Sequence, residues 1–377
     1  MVIQVDILIY VYMALCACML VFNAVYVGRR RWWSACRPRQ NGKWKEFLLK
    51  SMENGGLPDK KQERYLKRKL SRPASLMVFN KAVSELRKEV GGQIDLWIQN
   101  NREIFIKIGR SYMKGRPAEQ SYYAYTIWQY NLCKESEGDV ITRRMLELVM
   151  SLSTYVRENA LQALYASGKK QLVLKAYLLM VRKEIRHSAK MVTDGLMDYR
   201  GNSGDLAEAL WDNWASFTPY YQTAFINFIR MVDGGFRGRF LPILDSGADR
   251  EIKFAVIRYY RKYYLDSAGE LLRRYLLDED DYDWEFTALA AASLENYPSE
   301  ETVKALIGAL GSANWYVRDN ASDALVKIAS GNPMLQDVLV GEDRYASDML
   351  RYKLDNLRML QEAAIEEKES DTDDGCN

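Results

Sequence analysis

The chain has 377 residues, 48% of them hydrophobic, 8 prolines and a formal net charge of +3 at pH 7. This apolar content excludes a disordered chain, and so few prolines argue against a β-sandwich with many turns. The small net charge says little about partners, so charge must be read locally.

The first element in chain order is an apolar run from Ile7 to Val27, interrupted only by Asn23. At about 1.5 Å of rise per residue such a helix spans a hydrocarbon core of roughly 30 Å. Arg29, Arg30 and Arg31 follow, then Trp32 and Trp33. Tryptophan favours the headgroup layer and arginine the cytoplasmic side beyond it. A cleaved signal peptide fits worse. Met1 to Asp6 carries no Lys or Arg, and the apolar run continues well past the lipobox-like Leu15-Cys16-Ala17-Cys18. Residues 1–28 are therefore expected to be a transmembrane anchor. Lys and Arg far outnumber Asp and Glu between Arg29 and Lys88. That asymmetry predicts a single-pass protein of the cell membrane, N-terminus outside and the remainder cytoplasmic.

Residues 29–72 form a basic collar. Lys43, Trp44 and Lys45 open a helical stretch that Gly55-Gly56 and Pro58 terminate. A membrane-surface reading assigns Arg29, Arg30, Arg31, Trp32, Trp33, Lys43, Trp44 and Lys45 to anionic lipid, each basic residue contributing on the order of 1 kcal/mol. A solvated helix and a nucleic-acid patch are the alternatives.

From Ser71 and Pro73 the pattern is helical throughout, with no alternation long enough for a strand. Residues 73–135 are expected to form a helical N-terminal cap. Two later segments then repeat. Tyr155-Val156-Arg157-Glu158-Asn159-Ala160 and Tyr316-Val317-Arg318-Asp319-Asn320-Ala321 share aromatic-Val-Arg-x-Asn-Ala, each followed by an Ala-Leu pair. Weaker copies start at Ile185, Ile252 and Trp284, with a further one near Tyr220. Spacings of about thirty residues indicate stacked helix pairs. These segments resemble the HEAT family (HEAT/PBS-lyase-like, armadillo-type), whose second helix opens with Val-Arg and carries alanines about one turn apart. In that resemblance Val156, Arg157, Ala160, Val317, Arg318 and Ala321 are structural signature residues. It implies an all-α fold, a right-handed α-α superhelix preceded by the anchor. Repeats would occupy residues 136–332 as helix pairs near 140–167, 169–199, 203–232, 237–264, 267–297 and 299–330. Residues 333–364 would cap them, and residues 365–377 form an acidic, disordered tail.

Two tyrosine-rich clusters are candidate partner-binding sites: Tyr122, Tyr123 and Trp128, and Tyr259, Tyr260, Tyr263 and Tyr264. Aromatics beside basic residues are the usual anchors of interfaces, although part of each cluster must be core. The acidic run Asp278 to Asp283 lacks the glycine and spacing of a calcium loop and reads as a solvated link. Gly234-Gly235-Phe236-Arg237 does not match a phosphate loop and reads as a flexible connection. The lone histidine, His187, reads as a surface or cap-proximal residue, and two-histidine zinc sites are excluded. Five cysteines without a CxxC pair fit a reducing compartment.

No catalytic, cofactor-binding or metal-ligating set stands out, so no enzymatic activity and no cofactor are expected. The expectation is a membrane-anchored scaffold that binds a membrane-associated protein, such as a membrane enzyme or an envelope glycan-assembly complex. Two alternatives stand beside it. One is a nucleic-acid binder or DNA glycosylase-like enzyme, disfavoured by the anchor. The other is a structural tether binding anionic lipid.

Overall fold

The computed structural model describes residues 5–53, 55–135, 138–278 and 283–373, and the side chains of all these except residues 5–9, 28–38 and 364–373. Among the described residues the protein is all-α, with twenty α-helices and no strand. The chain divides into two compact units, Met1–Ile185 and Arg186–Asn377. The boundary falls inside the stretch 136–332 and splits the pair expected at 169–199. It lies in the link after the helix Lys170–Arg182, where Glu184 adopts a positive φ of 52°, a conformation that ends a helix abruptly.

In the first unit α1 (Val5–Glu53) runs unbroken from the apolar segment into the collar. Its stretch Tyr10–Val27 is long and apolar enough to cross a membrane, and none of it is buried by the protein. The collar end of α1 packs against α3 (Pro73–Val90) and α4 (Gly92–Asn100). Between them α2 (Lys60–Leu70) starts at a capping box, Asp59 Oδ1 accepting from the Gln62 N–H at 2.7 Å. α5 (Arg102–Met113), α6 (Pro117–Gln129), α7 (Val140–Leu148), α8 (Thr154–Ala166) and α9 (Lys170–Arg182) follow. They stack in two rows: α3, α6 and α8 in one, α5, α7 and α9 in the other.

The rows come very close where α5 meets α6 and α7. A Cβ on Gly109 would collide with the Arg144 guanidinium and the Tyr123 hydroxyl. Arg144 cannot give way freely, because its Nη1 donates to the Ile106 carbonyl at 2.6 Å. Gly109→Ala should therefore cost about 1–3 kcal/mol through overpacking, despite alanine's better helix propensity. Urea unfolding would measure it, and a stabilised variant would mean the contact is looser than described.

The second unit comprises α10 (Ala189–Met197), α11 (Ser203–Asp212), α12 (Pro219–Val232), α13 (Arg237–Leu244), α14 (Arg250–Lys262), α15 (Asp266–Leu277), α16 (Trp284–Ser293), α17 (Glu300–Ala309), α18 (Trp315–Ala329), α19 (Met334–Val340) and α20 (Arg344–Asp373). The helices α10, α12, α14, α16, α18 and α20 form one continuous row, and α13, α15 and α17 a second. α20 continues into the acidic run that had been expected to be disordered, and its backbone stays helical to Asp373. Ala, Glu and Lys between Gln361 and Lys368 are strong helix formers, which explains the extension.

The shared motif has a structural role in both units. Val156, Ala160, Val317 and Ala321 are buried. Arg157 Nη1 donates to the carbonyls of Ser151 (2.8 Å) and Leu152 (3.0 Å), and Arg318 Nη1 donates to that of Ser312 at 2.6 Å. Each arginine thus pins the link six residues upstream, satisfying carbonyls of the turn that follows the preceding helix. Asn159 Nδ2 donates to Ser121 Oγ at 2.8 Å, and Asn320 Nδ2 to the Ala288 carbonyl at 3.2 Å. The motif asparagine therefore stitches its helix to the previous helix of the same row.

Candidate partner-binding surfaces

In the first unit the candidate surface lies on α6. Pro117 occupies its first turn, where its missing N–H costs nothing. Tyr122, Tyr125 and Trp128 then fall three residues apart on one side. Their rings lie 5.7 Å (Tyr122 to Tyr125) and 5.8 Å (Tyr125 to Trp128) from each other. From α3, Asn80 holds this face in place. Its Nδ2 donates to the Tyr122 hydroxyl at 3.0 Å and to Thr126 Oγ1 at 2.9 Å, and its Oδ1 accepts from the Tyr130 hydroxyl at 2.8 Å. A groove of about 540 Å³ runs between α3, α6 and α8, walled by Met77, Pro117, Tyr122, Tyr125, Tyr155 and Asn159. Tyr155 is 80% exposed, and neighbouring Leu152 is 95% exposed.

Tyr123 does not belong to this surface. It is fully buried, stacks on Tyr112 at 5.5 Å and donates to the Phe105 carbonyl at 3.1 Å. Burial pushes its hydroxyl up to about 12. Tyr155 entered the sequence reading only through the repeat motif and was not assigned to this surface. The i, i+3, i+6 spacing of 122, 125 and 128 puts Tyr125, part of the same tyrosine-rich run, on the face of Tyr122 and Trp128.

The second cluster is mostly core. Tyr259 and Tyr260 are fully buried, and burial pushes both hydroxyls well above the ordinary tyrosine range. Tyr263 packs on Tyr259, ring centroids 4.8 Å apart, and is half-buried. Only Tyr264 is exposed, its ring against Tyr297 and its hydroxyl on Asp266. Other exposed aromatics of the second unit lie at the starts of helices of one row, Trp284 on α16, Trp315 and Tyr316 on α18 and Tyr345 on α20, with Tyr352 two turns further along α20. Trp284 stacks on Tyr316 at 5.3 Å, and the Arg318 guanidinium sits 5.7 Å from the Tyr345 ring centre. On α12 and α14, Arg230 and Arg258 are half-buried and have no acidic partner among the described residues. Burial, and then the neighbouring Arg258 charge, hold Arg230 below the usual arginine range.

Other sequence expectations change here. His187 is buried, just before α10, and its carbonyl accepts from the Tyr220 hydroxyl at 2.7 Å, so it is cap-proximal and not a surface residue. The Gly234-Gly235 link is packed on one side: the Tyr263 ring occupies the place of a Gly234 Cβ, and Phe236 is buried. Residues 279–282 of the acidic run lie outside the described residues, while Asp283 pairs with Arg250 at 3.0 Å. Burial pushes the Cys133 thiol up to about 12, which leaves it protonated and unreactive at neutral pH. Among the described residues no group of three or more His, Cys, Asp or Glu could hold a metal ion.

The collar does not lie flat as a membrane-surface helix. Trp44 is buried among Phe47, Tyr65 and Phe79, and Lys45 pairs with Glu85 and Glu89, each at 2.9 Å. Trp44 is therefore core, and Lys45 is held by two carboxylates of α3. The side chains of Arg29, Arg30, Arg31, Trp32 and Trp33 lie outside the described residues.

No family model and no curated protein match the chain. Among solved structures, human deoxyhypusine hydroxylase in complex with glycerol is similar at 16% identity. That match covers 78% of this chain and 95% of the other, with a TM-score of 0.27. The neighbour is an all-helical, HEAT-repeat-like protein and an enzyme. The expectation of no enzymatic activity is corrected to this extent: the solved structure reported as similar is itself an enzyme. A likeness this distant assigns no activity here.

Proposed function

We propose that the protein is a membrane-anchored helical-repeat adaptor. In this reading Tyr10–Val27 crosses the cell membrane once, with the N-terminus outside and both helical units in the cytoplasm. The helix pairs of each unit stack in the HEAT manner, with the right-handed superhelical sense of that family. The groove between α3, α6 and α8 docks a protein partner. One observation carries the proposal: a preformed groove with an ordered tyrosine face and an exposed Tyr155 beside it. Aromatic side chains lose little conformational freedom on binding and dominate interface energetics. The partner is expected to be membrane-associated, because the anchor confines the adaptor to the bilayer. A membrane enzyme or an envelope glycan-assembly complex fits, and segments meeting Arg230 and Arg258 should be acidic.

The test is affinity capture of full-length protein from its native membranes in mild detergent, read by quantitative mass spectrometry. Wild type should retain a stoichiometric partner. Tyr125→Ala combined with Tyr155→Ala should reduce its recovery by at least about tenfold, the loss expected from two anchors of about 1 kcal/mol or more each. Capture unchanged by the double variant would move recognition off the groove, and absence of any partner would reject the adaptor reading. A deletion of residues 1–28 that abolishes capture while the groove variants do not would place the interface on the anchor.

A further inference from the structure

The collar end of α1, together with α2 and the start of α3, encloses a second cavity, of about 360 Å³, distinct from the partner groove. Two kinds of side chain line it. Trp44, Phe47 and Tyr65 make an aromatic wall, with Phe47 and Tyr65 ring centres 6.1 Å apart. Lys43, Lys69 and Arg72 supply three cations, and no acidic residue lines the cavity. These three have no carboxylate partner among the described residues. Their neighbours differ: Lys45 is held by Glu85 and Glu89, and Lys107 by Glu63. Lys69 Nζ lies 5.8 Å from the centre of the Tyr65 ring, which keeps it beside the wall. The first residues of α3, Ala74 and Ser75, complete the lining. α3 has no side-chain cap and no acidic residue in its first turn, so the positive end of its dipole adds to the same field.

We propose that this cavity binds a phosphate ester carrying a flat apolar body, of the nucleotide class. The cations would neutralise the phosphates and the aromatic wall would pack against the body. A lipid headgroup offers the same phosphate, but the helix argues for a soluble source. From Val27 to Lys43 α1 climbs about 24 Å at 1.5 Å per residue. The headgroup layer extends only about 5–8 Å past the hydrocarbon. Even a sharp bend at Pro38, the one proline in α1, leaves about 16 Å of helix below it.

The experiment is isothermal titration of the full-length protein in mild detergent at low salt, using ADP and inorganic pyrophosphate as probes. ADP should bind, and pyrophosphate more weakly. Lys69→Gln with Arg72→Gln should weaken ADP by at least about tenfold, the loss of two charge-assisted contacts. Lys60→Gln with Lys61→Gln removes the same charge from the exposed first turn of α2 and should leave ADP binding unchanged. Equal losses in the two pairs would reduce the effect to diffuse charge and overturn the site, as would failure of wild type to bind either probe. Repeating the titration in nanodiscs separates the sources. ADP affinity that falls when phosphatidic acid replaces neutral lipid would mean that a headgroup takes the cavity, overturning the soluble ligand.

Discussion

Replacing Asp139 by alanine should lower the stability of the first unit by about 3–5 kcal/mol, the usual cost of stranding one member of a buried ion pair. For a unit of this size the thermal midpoint should fall on the order of 10 °C. Asp139 caps α7, its Oδ2 accepting from the Thr142 N–H at 3.0 Å. The same oxygen meets Arg102 Nη2 at 2.5 Å, with both side chains only 10% exposed. Arg102 in turn donates through Nε to the Leu132 carbonyl at 2.8 Å. The pair therefore ties α5, the turn after α6, and the start of α7 into one network. Asp139→Ala removes the cap and leaves a guanidinium buried without its counter-charge. Arg102→Met together with Asp139→Leu should cost less than Asp139→Ala alone, because no buried charge is then unmatched. A double variant as unstable as the two singles summed would show that the charges do not interact.

The same carboxylate sets an acid limit. Burial raises its pKa, but the hydrogen bonds from Arg102 and the Thr142 N–H outweigh burial and leave it below the ordinary aspartate value. A depressed folded pKa gives stability that is fully present above about pH 4 and is lost as pH falls through the folded value. The stability difference between wild type and Asp139→Asn should thus be flat from about pH 5 to 8 and shrink below pH 4. A difference that shrank between pH 6 and 8 instead would implicate another group.

Periodicity could be read for helices and could not be read for surfaces. Each of the six stretches expected to hold a helix pair carries two helices, because Val156 and Val317, with Ala160 and Ala321, mark faces that must be buried whatever the wider arrangement. The division at Ile185 left no mark of that kind: Glu184, with its positive φ, is a residue of no special turn chemistry. Nor could composition separate interface from core. Tyr122 and Tyr123 are adjacent in sequence, yet one lines the groove and the other is sealed beneath it, since neighbours on a helix point about 100° apart. Trp44 and Lys45 of the collar were misread for a related reason. The collar's lysines suggested lipid, but Glu85 and Glu89, forty residues later on α3, claim Lys45 and leave Lys43 for the cavity.

Tyr259 gives the strongest test of that distinction in the second unit. It is fully buried on α14, with Phe240 at 4.8 Å edge-to-face and Tyr263 at 4.8 Å. Its hydroxyl accepts from the Phe236 N–H at 3.1 Å and donates to the Asp233 carbonyl at 3.2 Å, holding the link between α12 and α13. Tyr259→Ala should cost about 3–5 kcal/mol, from lost burial plus the cavity left among rings that cannot collapse into it. Tyr259→Phe keeps the ring and strands the Phe236 N–H, so about 1–3 kcal/mol is expected. Tyr264→Ala, at an exposed position five residues on in sequence, should change stability by no more than about 0.5 kcal/mol. Chemical unfolding of the three variants, followed by hydrogen exchange across α12 to α14, measures the order. If Tyr264→Ala proved the costliest and Tyr259→Ala were neutral, the cluster would face outward, and its assignment to the core would be wrong. The expected order instead makes Tyr259 a residue whose loss would mimic an interface defect in a binding assay by unfolding its unit, so stability must be measured before any loss of partner is read as recognition.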